Sequence, residues 1–298
     1  VEEGSYVVNL SQIEKLITKK TKALMIPLLL GNVPNIEKLS QIAKKYNLFL
    51  IEDSCDTLGA TYAGKKTSLY SDISTTSFYG SHIITAGGGG GMILVDNINW
   101  RNRAWVLRGW GRSSSRFSES ESIQKRFKVK LDNIPYDAKF IFDEIGFNFL
   151  YPEIGAAFGN AQLKKLNLFR KTRERNFQYL RSFFSRYENF FILPYQDPKV
   201  STQWLAFPLT IRKNAPFSRL KLVKYLEENN IQTRPIFTGN ILRQPAFRNI
   251  ACRTLESGYP ITNGIMERGF VIGCHQGMKK EHLDKIKSTF KKFFKSIK

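Results

Sequence analysis

Two apolar runs separated by one amphipathic segment constrain this chain more than any other feature. Ala23 to Leu30 reads as a fully buried strand that stops at Gly31-Asn32, and Leu48 to Glu52 reads as a second. Between them, Asn35 to Tyr46 carries Ile36, Leu39, Ile42 and Ala43 on one side of a helix. Parallel strands need a crossover connection, usually a helix, and burial on both faces removes polar alternation. The pattern therefore predicts an α/β fold with a mostly parallel sheet. Strand-like runs at 73–79 and 91–95 continue it around a turn of five glycines, Gly87 to Gly91. Ligands of such sheets sit outside the carboxyl ends of the strands. Asp53 and the loop bearing His82 both fall there.

The rest of the chain reads as helices at 153–166 and 171–187, followed by a smaller α+β region. That region has a strand at 204–211, a helix at 218–229, a strand at 231–235, a loop at 238–247 and a terminal helix near 281–294. The division this suggests is a large domain over 1–185 and a small one over 186–298. From Asn97 to about Gly146 the pattern is irregular, with a polar insertion at Ser118-Glu-Ser-Glu-Ser122.

With 298 residues and 42% hydrophobic content the chain can bury a sizeable core. Its longest apolar stretch is far too short to span a bilayer and Val1 does not open a signal peptide, so a cytoplasmic location is expected. The three cysteines, Cys55, Cys252 and Cys274, are widely spaced and support neither a disulfide framework nor a zinc site. The net charge of +21 is scattered over helix faces. It concentrates locally at Lys164 to Arg175 and at Lys279 to Lys298, in the latter alternating with Phe290, Phe293 and Phe294 at helical spacing, and no nucleic-acid module accompanies it. Solvated helix faces are the expectation, and a positive field also suits a nucleotide-diphosphate sugar.

Asp53 ends a strand, where a carboxylate can pair with the pyridine nitrogen of a pyridoxal-type cofactor. Ser77 carries a hydroxyl able to donate to phosphate, and His82 can move protons near neutrality. Each alone is commonplace; the three together are more specific. The glycine run either lets backbone approach a ligand or serves a turn that needs positive φ.

In order along the chain stand Pro27-Leu-Leu-Leu-Gly-Asn32, Ile51-Glu-Asp-Ser-Cys-Asp56, Ser77-Phe-Tyr-Gly-Ser-His82-Ile-Ile-Thr85, Trp110-Gly-Arg112, Lys125-Arg-Phe127, Gly146-Phe-Asn148 and Thr233-Arg-Pro-Ile-Phe-Thr-Gly-Asn-Ile-Leu-Arg-Gln-Pro245. In this set the chain resembles the DegT/DnrJ/StrS sugar aminotransferases, and within them the branch of 3-dehydrases with histidine at the Schiff-base lysine position. The resemblance implies the fold type I architecture of pyridoxal-phosphate-dependent transferases, and a 3-dehydrase of a nucleotide-linked 4-keto-6-deoxyhexose for lipopolysaccharide or O-antigen synthesis. It implies pyridoxal 5′-phosphate or pyridoxamine 5′-phosphate as cofactor, with His82 as general base and Asp53 as pyridine partner. Ser77 would contact the phosphate, Asp56 would lie in the cofactor site, and Asn148 would approach from the neighbouring subunit of a homodimer. Asn240 and Arg243 would contact the sugar nucleotide.

Three departures qualify the resemblance. Between Trp110-Gly-Arg112 and Lys125-Arg-Phe127, where the ascarylose-type dehydrase holds four cysteines, this chain has none, so no 2Fe–2S cluster is expected. Gly88, Pro152 and Gly155 stand where the family has an acidic residue, a threonine and a glutamine. Relatives carry roughly a hundred or more residues ahead of Val1, including a phosphate loop. Two alternatives therefore stay open: an aminotransferase, against which the absence of lysine at position 82 speaks, and a truncated, inactive relative whose basic surface binds a partner.

Overall fold

The computed structural model describes residues 1–117 and 121–297, so part of the polar insertion expected around Ser118 to Ser122 lies outside the described residues. The first sheet follows directly from the two apolar runs. Strand β1 (Ala23–Pro27) pairs in parallel with β2 (Phe49–Asp53), with Pro27 opposite Asp53, and helix α1 (Ile36–Lys45) makes the crossover. Asn35 caps α1 by accepting the Lys38 N–H, and Lys44 and Lys45 suit its C-terminal dipole. Strand β3 (Ile73–Ser77) adds in parallel to β2, and β4 (Gly91–Leu94) returns antiparallel beside β3. The order β1-β2-β3-β4 makes the sheet mixed, parallel over three strands.

Leu39, Ile42 and Ala43 of α1 pack with Leu24, Ile26 and Leu50 into one core beneath the sheet. The opposite face is open. Met25 is 62% exposed and Phe49 49%, and all four residues of β4 are exposed, so β1 and β2 alternate where the sequence predicted burial on both sides. An uninterrupted apolar run reads the same whether one face is covered or two. The first run also stops being a strand sooner than expected. Leu28 N–H donates to the Asp53 carbonyl at 2.9 Å, and the chain then turns through Leu30 in the left-handed region (φ 59°).

Glu52 is a buried acid within this sheet. It accepts hydrogen bonds from Thr67 Oγ1 (2.8 Å) and Ser74 Oγ (3.2 Å), and burial pushes its carboxyl above the usual range.

The second sheet is antiparallel, built from β5 (Phe191–Ile192), β6 (Phe207–Ile211), β7 (Thr233–Pro235) and β8 (Gly269–Ile272) in the order β7-β8-β6-β5. The long helix α2 (Leu166–Phe184) and the terminal helix α3 (Lys280–Ser296) cover it. Phe184 stacks on Phe207 and meets Phe290 edge-on at 4.8 Å, while Phe177 stacks on Trp204 at 4.9 Å. Tyr6 and Leu30 belong to the same cluster, and Tyr6 hydrogen-bonds Thr210 at 3.0 Å. Phe290, Phe293 and Phe294 are buried while the neighbouring Lys291, Lys292 and Lys295 are exposed, so the basic tail is the wet side of a packed helix. Those aromatics are not available to stack on bases.

Arg173 of α2 is 2% exposed and donates through one terminal nitrogen to the carbonyls of Trp204 (3.2 Å) and Leu205 (3.0 Å). Asn176, one turn on, donates to the His275 carbonyl at 2.9 Å. Among the described residues, no helix is long and apolar enough to cross a membrane, and no group of His, Cys, Asp and Glu side chains is placed to hold a metal ion.

Candidate functional site

Two adjacent parallel strands end side by side, β2 at Asp53 and β3 at Ser77, and the loops that follow them carry the site. The first is stitched to its surroundings by backbone and hydroxyl groups. Ser54 donates to the Thr75 carbonyl from N–H (2.9 Å) and Oγ (2.7 Å), and Thr57 Oγ1 donates to the Leu28 carbonyl at 2.5 Å. Asp53 Oδ1 accepts the Cys55 N–H at 3.2 Å. Burial together with Asp53 pushes the Cys55 thiol up to about 12, which makes it a poor nucleophile.

Asp56 is the most enclosed acid of the loop. Its Oδ2 accepts the N–H of Leu30 at 3.0 Å, which spends the left-handed turn on aiming one backbone donor at one carboxylate oxygen. Its Oδ1 stands 3.7 Å from His82 Nε2. Burial raises the Asp56 carboxyl above the usual range, opposed by the Leu30 N–H and the nearby imidazole.

His82 sits in the second loop, where its N–H donates to the Tyr79 carbonyl at 3.0 Å. Ile83 and Ile84 are buried and anchor the segment, and the Tyr79 ring meets the imidazole edge-on at 6.0 Å. His82 Nδ1 is buried and has no hydrogen-bond partner among the described residues. The glycine turn closes the loop with Phe78 N–H on the Gly90 carbonyl (2.9 Å) and Ala86 N–H on the Phe78 carbonyl (3.1 Å). Gly87, Gly88 and Gly90 have φ of 76°, 100° and 90°, so the run is needed for the turn itself.

Of the residues singled out from sequence, the fold brings Asp53, Asp56, Ser77 and His82 to the carboxyl ends of the neighbouring strands β2 and β3. Ser77 Oγ accepts the Tyr79 N–H at 3.2 Å. Asn148 is exposed and pairs through its backbone with Gly109, on the rim of a cavity of about 900 Å³ lined also by Thr76, Gly91, Arg101 and Arg108. Asn240 and Arg243 belong to the second sheet's region. Asn240 caps a short turn, accepting Leu242 N–H at 3.1 Å and donating to Asn263 Oδ1 at 2.9 Å. Arg243 lines a second cavity, of about 780 Å³, with Lys213, Arg248 and Glu267.

Tyr151 and Thr57 escaped the sequence reading. Tyr151 OH donates to the Ala86 carbonyl, and a Cβ on Gly155 would fall 2.2 Å from the Tyr151 ring. The glycine at 155 is what admits that ring beneath the His82 loop. A tyrosine four residues before a glycine was the only trace of this in the sequence.

The sequence matches the DegT/DnrJ/EryC1/StrS aminotransferase family over residues 1–291. It is 37% identical over 297 residues to lipopolysaccharide biosynthesis protein RfbH of Salmonella typhimurium, an alignment covering 99% of this chain and 68% of that protein. It is 34% identical over 298 residues to the dTDP-4-dehydro-2,6-dideoxy-D-glucose 3-dehydratase of Saccharopolyspora spinosa, covering 98% of this chain and 63% of the relative. The chain thus spans about two thirds of the length of these relatives. The structure superposes with a TM-score of 0.82 at 25% identity on an E. coli GDP-4-keto-6-deoxy-D-mannose-3-dehydratase described with bound hydrated PLP, over 97% of this chain and 72% of that one. With a match running almost end to end, this chain belongs to the DegT/DnrJ/EryC1/StrS aminotransferase family.

Proposed function

We propose that this chain acts as a pyridoxamine or pyridoxal phosphate-dependent 3-dehydratase of a nucleotide-linked 4-keto-6-deoxyhexose. The single observation that carries the reading is His82, an imidazole in the loop beyond the carboxyl end of β3, where an aminotransferase of this family has its lysine. The residues present fit the cofactor. Asp53 ends strand β2 and takes the Cys55 N–H on Oδ1, and a carboxylate at that strand end is suited to a pyridinium N–H. The Ser77 hydroxyl suits a phosphate oxygen, and the imidazole has a nitrogen, Nδ1, with no hydrogen-bond partner among the described residues. When bound, such a cofactor supplies an electron sink for carbanion chemistry.

The chain's own residues then divide the work. Asp53 holds the proton on the ring nitrogen. His82 accepts and returns a proton at its imidazole and, lacking an amine, makes no covalent link of the kind a lysine would. Ile83, Ile84 and Tyr79 keep the imidazole in place. Asn148, exposed in the single chain, reaches toward the site of a second copy in a homodimer, and Asn240 and Arg243 face the nucleotide-diphosphate sugar. The setting is the cytoplasmic synthesis of a surface glycan.

The test is incubation with pyridoxamine phosphate, glutamate and a panel of nucleotide 4-keto-6-deoxysugars, with mass spectrometry for loss of the 3-hydroxyl. General acid/base assistance is worth about 10²–10⁴-fold, so His82→Lys loses dehydration by that order. Dehydration at the parental rate in His82→Lys would refute the role of His82.

A further inference from the structure

Asp56 is a buried acid beside His82. Asp56 Oδ1 stands 3.7 Å from His82 Nε2, at ion-pair distance, and its Oδ2 accepts the Leu30 N–H at 3.0 Å, the two partners lying 26 residues away in opposite directions. We propose that Asp56 is a positioning residue for His82: anchored by the Leu30 N–H, its carboxylate faces Nε2, keeps the imidazole in one orientation and selects the tautomer that carries its proton on Nε2. This inference rests on the assignment of His82 as the proton-moving group.

The geometry leaves Asp56 little freedom. It is 7% exposed, and its Oδ2 is fixed at 3.0 Å by a donor whose own backbone is in the left-handed region. Rotation of the carboxylate would strand that N–H, at a cost comparable to a lost buried hydrogen bond. The second oxygen therefore stays pointed at the imidazole. A neutral imidazole has one donor and one acceptor nitrogen, and an ionised carboxylate can only accept. Facing Nε2, it favours N–H there and leaves the lone pair on Nδ1, the nitrogen that has no hydrogen-bond partner among the described residues. Asp53, Cys55 and Tyr79 are the other ionisable groups nearby, Asp53 acting on Asp56 through charge and Tyr79 lying against the imidazole.

The same anchoring gives the experiment its leverage. In Asp56→Asn the Leu30 N–H still demands an acceptor, so the amide oxygen turns to Leu30 and the NH₂ group faces Nε2. Nε2 must then accept, and the proton moves to Nδ1. The chain has three histidines, His82, His275 and His282, so ¹⁵N-detected imidazole spectra of labelled protein assign the His82 tautomer by comparison with a His82→Gln sample. They are read about two units above the ordinary imidazole value of ~6.5. The expected result is Nε2–H in the parent and Nδ1–H in Asp56→Asn. A folded Asp56→Asn that keeps Nε2–H overturns the proposal. Should that variant not fold, the parent alone decides: a slowly exchanging Nε2 proton of His82 is expected, and one averaged with water overturns the idea. These spectra need neither cofactor nor substrate, so they stand or fall separately from the dehydration assay. Where dehydration is measured, Asp56→Asn lowers kcat by about 10²–10⁴-fold with KM little changed, the size of effect a misplaced base proton produces.

Discussion

Gly31→Ala is the substitution that probes the frame of the site most directly. Gly31 follows the left-handed Leu30 and has a φ of +89°. A Cβ there would lie 2.7 Å from the Gln203 carbonyl oxygen, 2.9 Å from Leu205 N and 2.9 Å from Trp204 Cα, all backbone atoms that cannot swing aside. Left-handed backbone costs an alanine about 1–2 kcal/mol. Forcing a methyl into packed surroundings adds about 1–3 kcal/mol, giving a total of about 2–5 kcal/mol. That is a large share of the ~5–15 kcal/mol that holds a typical domain together. Gly64→Ala is the control, because its φ is +77° and none of the described residues places an atom within 4 Å of its Cβ position. Only the backbone cost of about 1–2 kcal/mol applies to it. Urea unfolding followed by circular dichroism and by tryptophan fluorescence compares the two. Gly31→Ala is expected to be the less stable by about 1–3 kcal/mol. Equal losses in the two variants would refute the argument that the 202–205 segment is packed immovably on this turn.

Two further perturbations follow from buried polar groups. Glu52 holds its proton more tightly folded than unfolded because of burial, so above the unfolded value of ~4.3 unfolding releases a proton and stability declines as pH rises toward the folded value; Glu52→Gln removes that decline, and urea midpoints that fall equally with pH in both proteins would contradict it. Asn32 donates to the Ser5 and Tyr195 carbonyls and accepts from Val33 N–H, each at 2.9 Å; Asn32→Ala is expected to cost about 2–4 kcal/mol in thermal or urea unfolding, since it strands buried partners, and a loss under about 0.5 kcal/mol would show those groups reach water instead.

The helical period of Ile36, Leu39, Ile42 and Ala43 was legible because all four residues are buried, as a 3.6-residue repeat requires. Asp53 at a strand end was legible for the same local reason. The exposed side of β1 and β2 was not, since Met25 and Phe49 are as apolar as their buried neighbours and nothing local distinguishes a covered face from an open one. Nor could the pairing of Asp56 with His82 be read off. It needs β2 and β3 to lie adjacent and the chain after β1 to turn at Leu30, and both are tertiary facts. Asp56 was noticed in the cofactor-site motif, but its partner was invisible. Tyr151 was hidden similarly, its place under the His82 loop depending on the absence of a side chain at Gly155.

The phenylalanine-rich core around the second sheet draws on Tyr6 and Leu30 as well as on α2 and α3. A protein built this way is not modular along its sequence. Grafting a relative's C-terminal third onto this chain would replace the strands that Tyr6 and α2 grip while leaving their counterparts behind. Chimeras crossing over after α2 should therefore be recovered only when the first thirty residues travel with the graft, and surveys of shuffled descendants would see the two ends of the chain inherited together.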